Sequence, residues 1–313
     1  MKKKIICFTE KGKSVVDKLN TAAAALSIDQ AKEYSDMDSF VREGFAEGAA
    51  LIFVGAVGIA VRAISPYVKD KLYDSPVIVI DDAGQFVIPI LSGHAGGANK
   101  LAATVAGLID AVPVITTSTD VNEAFSADVF AIENHLTIRN RDGIKKISAK
   151  AVEGKPVTIS IKDYPPKDAV DIIVADETDR EYSLLLSPKK YVVGIGMKKG
   201  KDQEDAEQFL MSILRDNNID ISDVYALATI DVKEDEPTLK YLRDKYRIPL
   251  ITFEASVLAR AEGDFASSGF VKDTVGVDNV CERAASLAAG PHATRIVSKT
   301  CGEGMTISVY QRG

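Results

Sequence analysis

The chain has 313 residues, of which 46% are hydrophobic, and its formal net charge at pH 7 is −7. That length is too great for one ordinary core and predicts two or three domains, while the hydrophobic content excludes a disordered protein. The acidic balance, without a long basic stripe, argues against nucleic acid as a partner.

Membrane, secretory and metal-binding classes are also disfavoured. No apolar run reaches the roughly 18 residues that a membrane span needs, and the apolar stretch behind the basic N-terminus ends at Thr9, too early for a signal peptide. Cys7, Cys281 and Cys301 are widely spaced and form no CxxC motif, which is typical of reduced thiols. We therefore expect a cytoplasmic protein that contacts no membrane and holds no metal through its own residues.

Short apolar runs alternate with helical patterns over residues 1–120, which predicts an N-terminal α/β domain of mostly parallel strands flanked by helices. The predicted strands are Lys4–Phe8, Ala50–Val54, Val77–Ile80, Phe86–Ile90 and Val112–Ile115. The predicted helices are Gly12–Ala25, Asp38–Glu47, Ile59–Val68 and Gly97–Ile109. The loop between the third and fourth strands contains Gly84, which can adopt a positive φ, so we predict an antiparallel hairpin there.

The character of the sequence changes over residues 121–187, which we interpret as a small middle module. Charged residues crowd NHLTIRNRDGIKK, and the strand-like runs PVTISI and DIIVAD flank a turn at Asp163–Pro166. A linker at Ser187–Lys190 then leads into a C-terminal α/β domain over residues 188–313. Its predicted helices are Glu204–Asn217, Thr238–Tyr246 and Asn279–Ala289, and its strands are Tyr191–Gly196, Val224–Thr229, Pro249–Phe253, Arg295–Ser298 and Thr306–Gln311.

The segment SGHAGGAN, from Ser92 to Asn99, is the strongest candidate site. The segment has three glycines, Gly93, Gly96 and Gly97, which leave the backbone accessible to a ligand. His94 is a suitable proton-transfer group near neutral pH, because the ordinary pKa of histidine is about 6.5. The alternative is a glycine-rich loop whose histidine only hydrogen-bonds the backbone. The segment has neither the GxGxxG nor the Walker pattern, so dinucleotide and P-loop chemistry are not indicated.

Three other segments are weaker candidates. Gly55 and Gly58 precede a helix whose N-terminus favours negative charge, and Arg62 could hold a carboxylate there. From the spacing alone, a tight turn with a surface arginine is the favoured interpretation. Asp81 and Asp82, in the hairpin turn, could orient His94 or act as a base, or serve the turn alone.

The third candidate follows the first strand of the C-terminal domain, where Gly194 and Gly196 are predicted to form a strand-to-helix turn. Lys198 and Lys199 would collect positive charge for a polyanionic ligand, and the alternative is a solvated basic loop. The glycine spacing misses the Rossmann pattern by one residue.

Together these segments resemble a known family. The run GAVGIAVRAISPYVKDKLYDSPVIVIDDAGQFVIPILSGHAGGANKLA looks like the N-terminal domain of the CbiG family of the anaerobic cobalamin pathway. VVGIGMKKGKD, LATIDVKEDEPTL and GVDNVCERAASLAAG are similar to the family's C-terminal domain. At Met197-Lys198-Lys199 the family tends to have a small or cysteine residue followed by arginines, so this sequence departs from the pattern but keeps the charge.

The resemblance implies hydrolysis of a cobalt macrocycle, cobalt-precorrin-5A, with opening of its δ-lactone and release of acetaldehyde. Cobalt arrives in the substrate, so no cofactor is implied. We expect His94 to be the acid or base, with Asp82 beside it. Ser92, Asn99 and the glycine N–H groups would serve the substrate, with glycines 93, 96 and 97 near the oxyanion and residues 62, 198 and 199 on carboxylates.

Two other functions remain open: a non-catalytic carrier of tetrapyrrole intermediates, and a phosphate or nucleotide binder that uses the two glycine turns. A tetrapyrrole is the expected small-molecule partner under the family resemblance. A homodimer, and transient contact with neighbouring methyltransferases of the pathway, are further expectations.

Overall fold

The computed structural model describes residues 1–22, 36–70, 72–122, 124–161, 170–265, 279–302 and 304–313. The chain forms two compact units, Met1–Ser187 and Pro188–Gly313. No helix in the described part of the chain is both long and apolar enough to cross a membrane. The end of the predicted helix Gly12–Ala25 and the predicted turn Asp163–Pro166 lie outside the described residues. The further division of the first unit at residue 120 stays a prediction.

The first sheet has five strands in the order β1-β2-β3-β4-β5. They are β1 (Lys3–Cys7), β2 (Ala50–Val54), β3 (Val77–Ile80), β4 (Phe86–Leu91) and β5 (Val112–Pro113). The helices are α1 (Glu10–Ala22), α2 (Met37–Ala46), α3 (Val57–Ile64) and α4 (Ala98–Ile109). Strands β2 and β3 are apolar throughout and fully buried, because α1 and α4 cover one face of the sheet and α2 and α3 the other.

The direction of β4 decides where the candidate residues lie. Strands β1, β2 and β3 are parallel, β4 is antiparallel to β3, and β5 is parallel to β4. The predicted hairpin is therefore confirmed, with Gly84 at φ 66°. Because β4 runs backwards, the loop that follows it emerges where β1–β3 begin, which we call the amino edge. The carboxyl edge, where β1–β3 end, lies a strand length away, roughly 10–13 Å.

The second sheet of the first unit has four strands in the order β6-β9-β8-β7. They are β6 (Leu136–Ile138), β7 (Ile159–Ile161), β8 (Val170–Val174) and β9 (Tyr182–Pro188), and β7, β8 and β9 are parallel. Helices α5 (Ser118–Val121), α6 (Ala127–Glu133) and α7 (Arg141–Val152) belong to the same stretch. The core here joins α6 and α7 to β8 and β9 through Ala131, Ile147, Ile172 and Leu184.

The sheet of the second unit has five strands in the order β12-β11-β10-β14-β13. They are β10 (Tyr191–Met197), β11 (Val224–Ile230), β12 (Leu250–Phe253), β13 (Thr294–Gly302) and β14 (Met305–Gln311). Helices α8 (Gln203–Asp216) and α9 (Pro237–Tyr246) cover one face, and α10 (Ala255–Ala259) and α11 (Val280–Ala289) the other. Since β10–β12 are parallel and β14 and β13 add antiparallel strands, the prediction of mostly parallel sheets flanked by helices is confirmed.

One predicted feature of the second unit is corrected. Gly194 and Gly196 were expected in a strand-to-helix turn, but β10 continues through both residues to Met197, paired with β14 along its length. A Cβ on Gly194 would lie 1.8 Å from the carbonyl oxygen of Cys281 in α11. Gly194 is therefore a packing residue that lets the helix approach the sheet closely, and not a backbone donor in a turn.

Candidate functional site

The loop between β4 and α4 carries the candidate site at the amino edge of the first sheet. It folds on itself through backbone hydrogen bonds: the Ala98 N–H donates to the Ser92 carbonyl (3.1 Å) and the Asn99 N–H donates to the Gly93 carbonyl (3.0 Å). Ser92 has a φ of 53° and Gly97 a φ of 82°. A left-handed conformation at serine is uncommon and costs free energy, so the packing around this loop must enforce it.

Two of the loop glycines are required by space. A Cβ on Gly96 would lie 2.5 Å from the Ser92 carbonyl oxygen, and a Cβ on Gly93 would lie 2.6 Å from Oδ1 of Asn99. Gly97 has open space beside it but a positive φ. The glycines therefore allow a tight turn that presents His94.

His94 lies between two aspartates that sequence reasoning did not identify. Its Nε2 is 2.5 Å from Oδ2 of Asp120, and its Nδ1 is 3.7 Å from Oδ1 of Asp128. The Thr119 hydroxyl is 3.0 Å from Nε2 and the Ser126 hydroxyl is 3.3 Å from Nδ1. Both ring nitrogens are thus provided with partners, which fixes the orientation of the imidazole.

Asp120 is the exposed member of this group. Its side chain is 37% exposed, against 15% for His94 and 7% for Asp128. Nδ2 of Asn99 donates to Oδ2 of Asp120 (2.8 Å) and to the Thr117 hydroxyl (3.1 Å). Asp120 is therefore held in place by two donors and remains accessible to a ligand.

The aspartates determine the charge of the histidine. The pKa of His94 is raised above 6.5, first by its interaction with Asp128 and also by Asp120, which together outweigh the opposing effect of burial. An imidazolium between two carboxylates can donate from both nitrogens, whereas a neutral ring can donate from only one. His94 is accordingly arranged as a proton donor, and Asp120 as the group beside it that can receive a proton.

The antiparallel course of β4 separates the residues of the hairpin turn from His94. Asp81 accepts hydrogen bonds from the N–H groups of Ala83, Gln85 and Phe86 (3.1, 2.8 and 2.6 Å), so its carboxylate stabilises the turn. Asp82 lies at the carboxyl edge, with Oδ1 3.2 Å from the hydroxyl of Thr9. The expectation that Asp82 orients His94 is corrected: Asp120 and Asp128 occupy that position.

Gly55, Gly58 and Arg62 also belong to the carboxyl edge and its helix α3. Gly55 follows β2 with a φ of 150°, and a Cβ there would lie 3.1 Å from the Phe8 ring. The Arg62 guanidinium lies along the first turn of α3, since its Nη1 is 3.7 Å from a Cβ built on Gly58. These residues form a group apart from the His94 loop.

The loop itself offers fewer oxyanion donors than its glycine count suggests. The Gly97 N–H already donates to the His94 carbonyl (2.9 Å). The N–H groups of Gly93 and Gly96 have no acceptor among the described residues. The expected set of three donors is thereby reduced to two.

In the second unit, Lys198 and Lys199 are exposed at the end of β10. The Lys198 N–H donates to the Gly304 carbonyl (2.8 Å), and Gly196 lies beside Thr306, whose hydroxyl would be 2.6 Å from a Cβ at that position. The two lysines keep the exposure that carboxylate binding requires.

The sequence contained a pattern from which Asp120 could have been predicted as part of the site. The run ITTSTD places hydroxyls and Asp120 directly after the predicted strand Val112–Ile115. Because β5 is parallel to β4, the residues after each strand emerge at the same edge. Polar residues after both strands could therefore have been assigned to one site.

Two family models match this chain, one within each unit. The family model described as "Cobalamin synthesis G N-terminal" matches residues 39–120, and the one described as "Cobalamin synthesis G C-terminus" matches residues 191–310. A cobalt-precorrin-5A hydrolase of Salmonella typhimurium is 35% identical over 79% of this chain and 78% of its own length.

A cobalt-precorrin-5A hydrolase of Priestia megaterium is 31% identical over 85% of this chain and 79% of its own length. A solved structure of a cobalamin biosynthesis protein G homologue from Sulfolobus solfataricus has 21% identity and a TM-score of 0.41, and covers 100% of this chain and 97% of that one. On the matched domains and the two hydrolase relatives, the chain belongs to the cobalamin synthesis G (CbiG) family.

Proposed function

We propose that this chain is a cobalt-precorrin-5A hydrolase of anaerobic cobalamin biosynthesis. It opens the δ-lactone of its cobalt macrocycle with water and releases the C20 fragment as acetaldehyde, giving cobalt-precorrin-5B. Relatives of that name at 35% and 31% identity support the proposal. The observation that carries the chemistry is the placement of His94, with its raised pKa, 2.5 Å from the exposed carboxylate of Asp120.

Lactone opening calls for an acid and for stabilisation of negative charge. Water adds to the lactone carbonyl, the acyl carbon–oxygen bond breaks, and the oxygen that leaves on the C20 fragment must gain a proton. The His94 imidazolium supplies that proton, and the N–H groups of Gly93 and Gly96 stabilise the oxyanion that forms first. Asp120 accepts a proton from the attacking water.

Release of acetaldehyde calls for a base. The freed hydroxyl on C20 loses its proton, its oxygen forms the aldehyde carbonyl, and the bond from C20 to the ring breaks. The ring carbon keeps the electron pair of that bond and takes the proton that Asp120 gained from water. His94 is neutral after the first step and can accept the hydroxyl proton. One imidazole beside one carboxylate thus serves as acid and then as base, and the pair returns to its starting charge.

The substrate carries many carboxylates, whereas the chain is acidic overall. Binding therefore depends on local donors. We assign this task to the exposed Lys198 and Lys199 of the second unit, and we assign contacts at the reacting lactone to Ser92, Asn99 and the loop glycines. Cobalt enters as part of the substrate.

The test is acetaldehyde released from cobalt-precorrin-5A by purified variants. We expect His94→Ala and Asp120→Asn each to lose on the order of 10²-fold or more in kcat, because each removes a proton-transfer group. His292→Asn is the matched control, since His292 is exposed in the second unit, and it should keep full activity.

Folding and substrate binding must be measured on the same preparations, by circular dichroism and by equilibrium binding of the cobalt macrocycle. A folded His94→Ala protein that still binds the macrocycle and still releases acetaldehyde at the wild-type rate would overturn the assigned chemistry. If wild type binds the macrocycle but releases no acetaldehyde, the protein is a carrier instead.

A further inference from the structure

Strand β13 contains a bulge at Ser298 and Lys299. Val297 pairs with Val309 and Thr300 pairs with Ile307, so the two residues between them face one residue of β14, Ser308. The buried Ser308 hydroxyl donates to the Val297 carbonyl (2.7 Å) at the start of the bulge. A bulge changes the direction of a side chain relative to a regular strand, and bulges are common next to functional sites.

A buried carboxylate holds this bulge in place. Glu282, in the first turn of α11, is fully buried, and its Oε1 accepts a hydrogen bond from the Lys299 backbone N–H (2.8 Å). Its Oε2 accepts from Nδ2 of Asn279 (2.6 Å), and the Arg295 guanidinium lies 3.5 Å from Oε1. Burying a carboxylate costs free energy. Here the hydrogen bonds from Lys299 and Asn279, together with the nearby Arg295 guanidinium, offset that cost.

The bulge leaves the Lys299 side chain partly exposed close to the N-terminus of α11. The Lys299 backbone N–H is hydrogen-bonded to Glu282 in the first turn of this helix, so the residue lies beside the helix N-terminus. Burial raises the pKa of the Cys281 thiol to about 11, and the positive charge of Lys299 opposes that rise. Gly196 and Thr306 lie on the same side of the sheet as Cys281, because a Cβ on Gly194, two residues before Gly196, would contact Cys281.

The ammonium of Lys299 differs from other lysines of the second unit. Lys201, Lys233 and Lys245 each form an ion pair with a carboxylate, at 2.8, 3.2 and 2.6 Å. Neither Lys299 nor Lys198 has an ion-pair partner within the described part of the chain. The aliphatic chain of Lys198 lies 3.4 Å from a Cβ built on Gly304, between β13 and β14. Lys198 and Lys299 therefore border the same β13–β14 hairpin, and neither is neutralised by an ion pair with another described residue.

We infer that Lys299, set in position by Glu282 through the β13 bulge, is a substrate-binding residue that receives a peripheral carboxylate of the macrocycle on the second unit. Lys299 makes the contact, and Glu282 acts as a positioning residue through the backbone. The inference rests on the proposed function for the nature of the ligand, a polycarboxylated macrocycle.

The test compares Lys299→Met with Lys240→Met in the full chain. Lys240, in α9, is partly exposed and is already paired with Asp235. We expect Lys299→Met to raise KM for cobalt-precorrin-5A on the order of tenfold while kcat changes less than about twofold, as loss of one charge-assisted hydrogen bond predicts. Lys299→Arg should recover most of the affinity, and Lys240→Met should match wild type.

A second measurement does not depend on turnover. Cobalt uroporphyrin is a polycarboxylated macrocycle without a lactone, and its dissociation constant should rise for Lys299→Met by a factor similar to that of KM. Glu282→Gln should also weaken binding, and the double variant should be no weaker than Lys299→Met alone, since both changes act on one contact.

Unchanged cobalt uroporphyrin binding by a folded Lys299→Met protein would overturn the inference, as would equal losses for Lys299→Met and Lys240→Met. If wild type binds cobalt uroporphyrin in a Lys299-dependent way but releases no acetaldehyde, the proposed function fails while this binding role stands.

Discussion

At the scale of single residues, the environment of His94 favours one charge state. Asp120 and Asp128 approach its two ring nitrogens, and both raise its pKa above 6.5. A histidine in a glycine loop could be anticipated from the sequence as a proton-transfer group. The charge of His94 could not be anticipated, because Asp120 lies 26 residues further along the chain and Asp128 lies beyond it. Only the parallel course of β4 and β5 brings these aspartates back to the loop.

The raised pKa makes the free energy of unfolding depend on pH. The folded protein holds the His94 proton more tightly than the unfolded chain does. The stabilisation is fully present below the unfolded value of about 6.5 and is lost as the pH rises through the raised folded value. We expect the Tm of wild type to fall from about pH 6 to about pH 9, and the Tm of His94→Gln to fall less.

Calorimetry on both proteins across that pH range checks this prediction. The difference between the two curves isolates His94 from the other titrating groups. A difference that stays constant, or that grows in favour of wild type as the pH rises, would show that the folded protein does not hold the imidazolium.

At the scale of helices and strands, apolar runs were the reliable signal. The predicted strands Ala50–Val54 and Val77–Ile80 coincide with β2 and β3 because both are buried on two faces. In the middle stretch, β7 falls within the predicted run PVTISI, and β8 overlaps the run DIIVAD but begins one residue before it, at Val170. Helix α7 was missed. It places only Ile144 and Ile147 in the core, between charged residues, and so narrow a stripe is a weak helix signal.

Glycines were the unreliable signal, since a glycine can be needed for a turn, for the close approach of a helix, or for access of a ligand to the backbone. Gly96 lies in a turn as predicted, whereas Gly194 lies under α11. The hairpin was predicted correctly, but its consequence was missed. Because the hairpin reverses the direction of β4, Ser92–Asn99 lie at the opposite edge of the sheet from Gly55 and Asp82. Secondary structure could be predicted from local patterns, whereas the set of residues that come together in the site could not.

Gly194 offers a test at this scale. Gly194→Ala should destabilise the second unit by about 1–3 kcal/mol or more, because its Cβ would overlap the backbone of α11. Gly107→Ala is the matched control: Gly107 lies in α4 with nothing within 4 Å of the added Cβ, and alanine should stabilise the helix by about 0.5–1 kcal/mol. Thermal unfolding of both full-length variants measures the difference. Equal stability of the two would mean that α11 does not pack on β10 as described.

At the scale of the whole molecule, the chain has two units with separate cores. The buried apolar clusters of the second unit draw their described members from residues 192–310, and those of the first unit from residues 5–186. His94 lies in the first unit, and Lys198 and Lys299 lie in the second. Under the proposed function, chemistry and carboxylate binding are therefore assigned to different units.

Separate cores predict that the second unit folds without the first. A fragment of residues 188–313 contains a complete five-stranded sheet with helices on both faces, and 126 residues is within the usual size of an independent domain. We expect cooperative thermal unfolding of this fragment, and slow amide exchange in β10 and β14, because β10 is the central strand and β14 pairs on both sides. The fragment should release no acetaldehyde, since His94 and Asp120 are absent from it. A broad, non-cooperative transition with fast exchange in β10 would instead mean that the second unit depends on the first for its stability, because its own buried clusters would then be insufficient to offset the conformational entropy of folding.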